Sequence, residues 1–298
     1  MASPAPSAAT LRPREWITPQ EQLERLLNYA AKPIARSVSE ASTCPISIAG
    51  IAKIISQYAV EALSPELTDW YTSLELRGSL PDKVPALPWN MPDILDHKCP
   101  IWGDETKPDG THYKYRDTWS LSLKTPETVN ELIASVRVYG EQTLKDQGTP
   151  HAPNPLKVQS FWNSARLEHA DVRSNHESYW ILHTNTVVPG SRNNSYQEQD
   201  RMLADISAKF FVNCEVPSLS EVLTTYCNRQ IARRERLYQC AYKGNGCITT
   251  YTRVKETTQN DHLAVGGSIP SGVSINPVNH VRLVYGVQFI GVAAVRKF

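Results

Sequence analysis

Residues 76–93 read LRGSLPDKVPALPWNMPD, with prolines at 81, 85, 88 and 92. Each proline fixes its own φ and removes a backbone donor, and each residue before one is pushed out of the α region. No helix and no central strand can cross such a stretch, so the fold must be organised on either side of it. We take residues 81–92 as a linker. Residues 17–80, before it, carry helical patterns, and residues 93–298, after it, mix helix and strand patterns.

In the first part, residues 21–31 place Leu23, Leu26, Leu27 and Ala30 on one helical face. Residues 46–63 repeat the pattern with Ile48, Ile51, Ile54, Ile55 and Tyr58. Pro45 stands near the start and Ser64-Pro65 follows the end, as helix boundaries require. Residues 67–76 continue helix-like with Trp70, Tyr71 and Leu74. Ahead of all this, residues 1–16 are small and Pro-rich, with no acidic side chain in the first fourteen. Such a segment cannot offset its ordering entropy and is expected to be disordered. It has no apolar run of a Sec signal peptide. An unfolded leader of this kind also suits a non-Sec export machine.

The second part holds the fold's strands. Residues 115–124 alternate, with Trp119, Leu121 and Leu123 on one face. Residues 127–144 read as a helix, although its start at 128–130 could equally be a loop, and residues 161–169 as a shorter one. Residues 178–184, SYWILHT, form an apolar run of strand length. Residues 196–211 carry an apolar stripe of Met202, Leu203, Ile206 and Phe210. Ser218 and Glu221 form a capping box that opens another helix, with Leu219, Val222, Leu223, Tyr226 and Ile231 facing inward. From Ile248 onward Gly, Thr and Val dominate, which predicts three or four strands with tight turns at Gly266-Gly267 and Ser271-Gly272. Helices and strands mix without regular βαβ alternation. The expected class is therefore α+β, with a mainly antiparallel sheet and packed helices.

Charge and motif content exclude several functions. Lys and Arg total 31 against 30 acidic residues, a net charge of +1, which argues against a polyanion binder working by bulk charge. Arg229, Arg233, Arg234 and Arg236 make a basic run, but Glu235 interrupts it and helix C-termini favour cations anyway, so nucleic acid is not the expected partner. No run of 18 apolar residues predicts a membrane span. The six cysteines form no C-x-x-C pair and read as reduced thiols. His169, His176 and His183 are spaced seven apart, but the intervening pattern breaks any common helix, and no metal site is expected. Glycine-rich phosphate loops are missing and no cofactor is expected.

Three candidate sites remain. Cys99, two residues after His97 in DHKCPIW, could pair with a remote His183 or His262 as a thiol nucleophile and base. Residues 187–199, VVPGSRNNSYQEQ, run a polar loop into a helix start. Ser195 and Glu198 form a capping box there, while Arg192, Asn193, Asn194 and Ser195 could hold an anion or a partner at the helix N-terminus. Ile48, Ile51 and Ile55 supply a third, partner-binding helix face.

The order SYW at 178–180, PGSRNNSYQEQ at 189–199, TYTRVKE at 250–256 and VGGSIPSG at 265–272 resembles a block shared by uncharacterised proteins of chlamydia-related symbionts of amoebae. CPIW at 99–102 is similar to that block's opening, so the resemblance covers roughly 88–298. Members often carry a helical N-terminal segment described as F-box-like, a place filled here by PISIAGIAKIISQYA at 45–59. The family has no assigned catalytic residues. The resemblance implies an interaction protein with a protein partner, acting as an effector in a eukaryotic host and located in the cytoplasm or in a host cytosol reached by a non-Sec route. The alternatives are a hydrolase using a Cys/His or Ser/His site and an F-box-like ubiquitin-ligase adaptor.

Overall fold

The computed structural model describes residues 64–298, apart from 82, 83, 86, 89, 174–176, 239, 240, 244, 245, 249, 260, 270, 271 and 279–288. The N-terminal segment and the helical patterns at 21–31 and 46–63, with Ile48, Ile51 and Ile55, lie outside the described residues.

In chain order the elements are α1 (Ser64–Arg77), α2 (Met91–Asp96), a short α3 (Tyr115–Thr118), β1 (Trp119–Lys124), α4 (Val129–Asp146), β2 (Val158–Phe161), α5 (Asn163–His169), β3 (Tyr179–Thr184), α6 (Tyr196–Phe210) and α7 (Leu219–Arg233). There follow the hairpin strands β4 (Ala241–Lys243) and β5 (Gly246–Ile248), then β6 (Tyr251–Thr258), β7 (Asp261–Ile269), β8 (Gly272–Val278), β9 (Ile290–Val292) and β10 (Val295–Lys297). Sheet one has the order β1-β3-β10 and is antiparallel throughout. Sheet two has the order β2-β8-β7-β6-β9. Its three central strands are antiparallel, while β2 and β9 join its two edges in parallel. This is the antiparallel-dominated α+β class predicted from the sequence. No described helix is long and apolar enough to cross a membrane.

Helix α7 lies between the two sheets. Ser218 starts it, its hydroxyl accepting the Glu221 N–H while the Glu221 carboxylate accepts the Ser218 N–H at 2.7 Å. The predicted inward face is buried: Val222, Leu223 and Tyr226 pack with Val254, Leu263, Val265, Val273 and Ile275 of sheet two. Sequence periodicity misses the other face. Glu221, Thr224, Thr225 and Asn228 are buried as well, and this polar side meets sheet one. There Glu221 reaches Tyr179 and Lys297, and Arg229 reaches Ser120.

The opposite face of sheet one carries a second core. Trp119, Leu121, Leu123, Trp180 and Leu182 pack against α1 through Leu67, Trp70, Tyr71 and Leu74. The Trp70 and Trp180 rings meet edge-on at 5.1 Å, a favoured aromatic geometry. The Trp180 indole N–H donates to the Pro85 carbonyl at 3.0 Å. Helix α1 and Pro85 of the Pro-rich stretch thus share their core with sheet one.

Two local expectations need correction, and one left open is decided. The strand predicted over 115–124 begins only at Trp119, because the Asp117 carboxylate accepts the Lys114 N–H at 2.7 Å and turns residues 115–118 into a helical turn. Residues 128–130, open to either helix or loop in the sequence, begin α4, where Thr128 and Glu131 form a reciprocal capping box. Gly266 and Gly267 do not make a turn. They form a bulge inside β7, where the register slips and Gly267 takes φ +61°. A side chain on Gly267 would run into the Tyr251 ring, which leaves this left-handed position to glycine.

Candidate functional site

Pairing in sheet one decides where Cys99 and His183 sit. Trp119 lies opposite Thr184, and Ser120 opposite His183. Successive side chains alternate between faces, so Trp119 and His183 project from opposite faces. Cys99 is on the Trp119 side. Its sulfur accepts from the Trp119 indole N–H at 3.4 Å, the Thr118 hydroxyl at 3.3 Å and the Trp102 N–H at 3.5 Å. His183 is on the α7 side and fully buried, with Nδ1 on the Thr184 carbonyl at 2.8 Å and Nε2 on the Tyr238 hydroxyl at 3.2 Å. Burial pushes its pKa down to about 4. The sheet thus separates the thiol from the imidazole, and both ring nitrogens already have partners. The third imidazole, His262, stacks on Tyr196 at 3.8 Å.

The loop at 187–199 is folded in on itself. Arg192 turns inward and donates to the Thr250 hydroxyl at 2.6 Å. Asn193 is exposed and supplies a left-handed φ of 60°, which Asn tolerates better than most residues. The Asn194 amide donates to the Gly190 carbonyl at 2.9 Å. Ser195 and Glu198 complete the capping box, so two donors at the start of α6 already serve the helix's own side chains, and Glu198 puts a negative charge there. Two residues outside the sequence reading do the bracing. Ser191 is buried and its hydroxyl accepts the Val292 N–H at 3.1 Å; the Gln199 amide, also buried, donates to the Ser191 carbonyl at 2.9 Å. The fit is tight at Gly291, where a Cβ would stand 2.6 Å from the Ser191 oxygen and 2.8 Å from Val187 Cβ. Gly291→Ala is therefore expected to cost about 1–3 kcal/mol of stability by overpacking, read as a lower midpoint in urea.

A cluster of charged groups underlies sheet one. Glu221 is fully buried and accepts from the Tyr179 hydroxyl at 2.7 Å, with the Lys297 ammonium at 3.1 Å. Burial alone would push its carboxyl up. The Ser218 N–H, the Lys297 charge and the Tyr179 hydroxyl outweigh that and hold it below the usual carboxylate range. Burial depresses Lys124 beside it, whose ammonium donates to the Thr125 and Glu127 carbonyls. Arg77 grips Glu127 through one nitrogen at 3.0 and 3.1 Å. Tyr179 is raised by burial and then by Glu221. Glu221 and Lys124 are almost wholly shut from solvent, so these charges lock α7 to sheet one and do not face a substrate.

The surface offers a different place. A cleft of about 470 Å³ opens between the C-terminal half of α4 and the segment leading into β2. Arg137, Glu141, Leu144 and Lys145 line it from α4; Pro150, Ala152, Pro153, Asn154, Lys157 and Gln159 line the other side. The α4 residues fall at spacings of four, seven and eight, which is one helical face. The opposite wall is pinned in place. Asn154 packs on Gly140, where a Cβ would meet the Asn154 amide at 2.6–2.9 Å. Its side-chain oxygen accepts the Leu156 N–H at 2.9 Å, and the Tyr226 hydroxyl donates to the Pro155 carbonyl. Arg137 has Glu141 at 4.0 Å, while Lys145 and Lys157 meet no carboxylate among the described residues. The cleft is lined by three cations, the Glu141 carboxylate, two amides and apolar groups, without a thiol, a hydroxyl or an imidazole.

Comparison with known proteins gives no match: no family profile fits the chain, and no curated protein or solved structure is similar to it at a significant level. Among the described residues no group of His, Cys, Asp and Glu could hold a metal ion. His169 bonds the Thr257 carbonyl at 2.7 Å, far along the chain from the surroundings of His183, and His176 lies outside the described residues.

Proposed function

We propose that this protein acts by binding another protein, as an effector in a eukaryotic host. The observation that supports this reading most is the content of the cleft. It gathers Arg137, Lys145 and Lys157 on one concave surface, with Glu141 the one carboxylate among them and no thiol, hydroxyl or imidazole in its lining. Cys99 and His183, the pair a hydrolase would use, point to opposite sides of sheet one. The effector role itself rests on the resemblance of residues 88–298 to proteins of amoeba symbionts.

Affinity capture with the full chain from a eukaryotic host lysate tests the proposal, followed by reconstitution with the purified partner. Saturable binding between the two purified proteins is the expected result. A chain that yields no reconstitutable partner, yet turns over ester or peptide substrates in a manner abolished by Cys99→Ser, would overturn it.

A further inference from the structure

Strand β2 is an edge of sheet two and pairs with β8 alone among the described strands. Gln159 and Ser160 in its middle are exposed. Such an edge is a template for an added strand. Gln159 also lines the cleft, so the edge and the cationic surface are continuous. Beyond Phe161, the last residue of β2, the Trp162 ring is 58% exposed, the sort of amphipathic anchor that binding surfaces use. The positive groups come from two separate segments, α4 and the turn before β2, held together by Asn154 against Gly140. Lys145 and Lys157 are exposed and unmatched by a carboxylate of this chain. Glu141 is the one carboxylate lining the cleft against three cations, so the balance stays positive and calls for an acidic ligand, and the adjoining edge calls for an extended one.

Resting on the binding reading above, we propose that the α4–β2 cleft takes an acidic, extended segment of the partner protein. Its carboxylates meet Arg137, Lys145 and Lys157, and its backbone runs along the outer edge of β2. Because the cations are exposed, attraction is screened by salt and their removal is borne without unfolding.

The test is fluorescence anisotropy on the full chain with a labelled peptide of about ten residues alternating Glu and Val, long enough to span a strand and the cleft. Saturable binding is expected, weakened at least about tenfold by Lys145→Glu with Lys157→Glu and weakened likewise by raised salt. The milder pair Lys145→Gln with Lys157→Gln, checked for an unchanged unfolding midpoint, should show a smaller loss in the same direction. No binding, equal binding of a Gln/Val peptide, or affinity indifferent to charge reversal would overturn the proposal. Displacement of the peptide by inorganic phosphate or single-stranded RNA at matching concentration would overturn it too, by making the cleft a phosphate site. The two claims separate in the capture experiment. If the charge-reversed chain still holds the reconstituted partner, the site is wrong and the binding reading stands; if wild type holds none, the binding reading itself fails.

Discussion

Glu221→Leu is expected to lower the unfolding free energy by about 2–4 kcal/mol, through a lost helix cap and a Tyr179 hydroxyl left without its acceptor. Three interactions disappear together. Helix α7 loses the carboxylate that accepts the Ser218 N–H at 2.7 Å, the Tyr179 hydroxyl loses its acceptor, and Lys297 loses its nearer carboxylate. The cap is worth about 1 kcal/mol and the Tyr179 hydroxyl left without its acceptor about 1–3 kcal/mol, while Lys297 is exposed and keeps Glu215. Glu221→Gln keeps an acceptor oxygen and should cost less. Glu215→Gln, which removes a half-exposed partner of Lys255 and Lys297, should cost no more than about 1 kcal/mol. Urea midpoints at constant m measure all three. A Glu221→Leu loss no larger than that of Glu215→Gln would mean that α7 is not held to sheet one by charge.

Acidification should destabilise the protein through a buried histidine, against the opposite trend of the Glu66, Asp69 and Glu256 carboxyls, which burial raises. His183 stays neutral in the fold down to about pH 4, whereas the unfolded imidazole protonates near its ordinary value of 6.5. Between those values the unfolded chain binds the extra proton, so stability falls as pH drops from about 6.5 and levels off near 4. A separation of that size is worth on the order of 3 kcal/mol. Glu221 acts lower: the Ser218 N–H, Lys297 and Tyr179 hold its carboxyl below the ordinary 4.5 against the effect of burial, so its contribution is present above that pH and lost as pH falls beneath it. Between pH 7 and pH 4 the unfolding midpoint of the wild type should fall relative to that of His183→Gln, which lacks this proton and keeps the carboxyls. An identical slope in the two proteins would place the proton elsewhere.

Much of this fold is legible in the sequence. The capping boxes at Ser195 and Ser218 are where the residues put them, and SYWILHT becomes β3 because its length suits a strand. What escapes is tertiary in origin. Helical periodicity finds the apolar stripe of α7 but cannot announce that Thr224, Thr225 and Asn228 are also covered, since that depends on sheet one closing over them. The paired glycines at 266–267 look like a turn until the partner strand shows a bulge. In the loop at 187–199, Arg192 and Asn193 look available for a ligand because Thr250, which engages the guanidinium, is 58 residues away. Cys99 and His183 invite pairing on paper, and only the β1–β3 register reveals the sheet between them. One wall of the cleft was nearly within reach: Arg137, Glu141 and Leu144 share a face of the helix predicted over 127–144, which runs on to Asp146 and adds Lys145. Lys157 was not, because the packing of Asn154 on Gly140 brings it there.

One comparison bears most directly on the claim that this protein works by binding at a cationic cleft. Partner capture is measured side by side for the wild type, Cys99→Ser, and Lys145→Glu with Lys157→Glu. The account predicts full capture by wild type and Cys99→Ser and loss of capture by the charge-reversed chain. Undiminished capture by the charge-reversed chain, with capture lost in a folded Cys99→Ser, would contradict it.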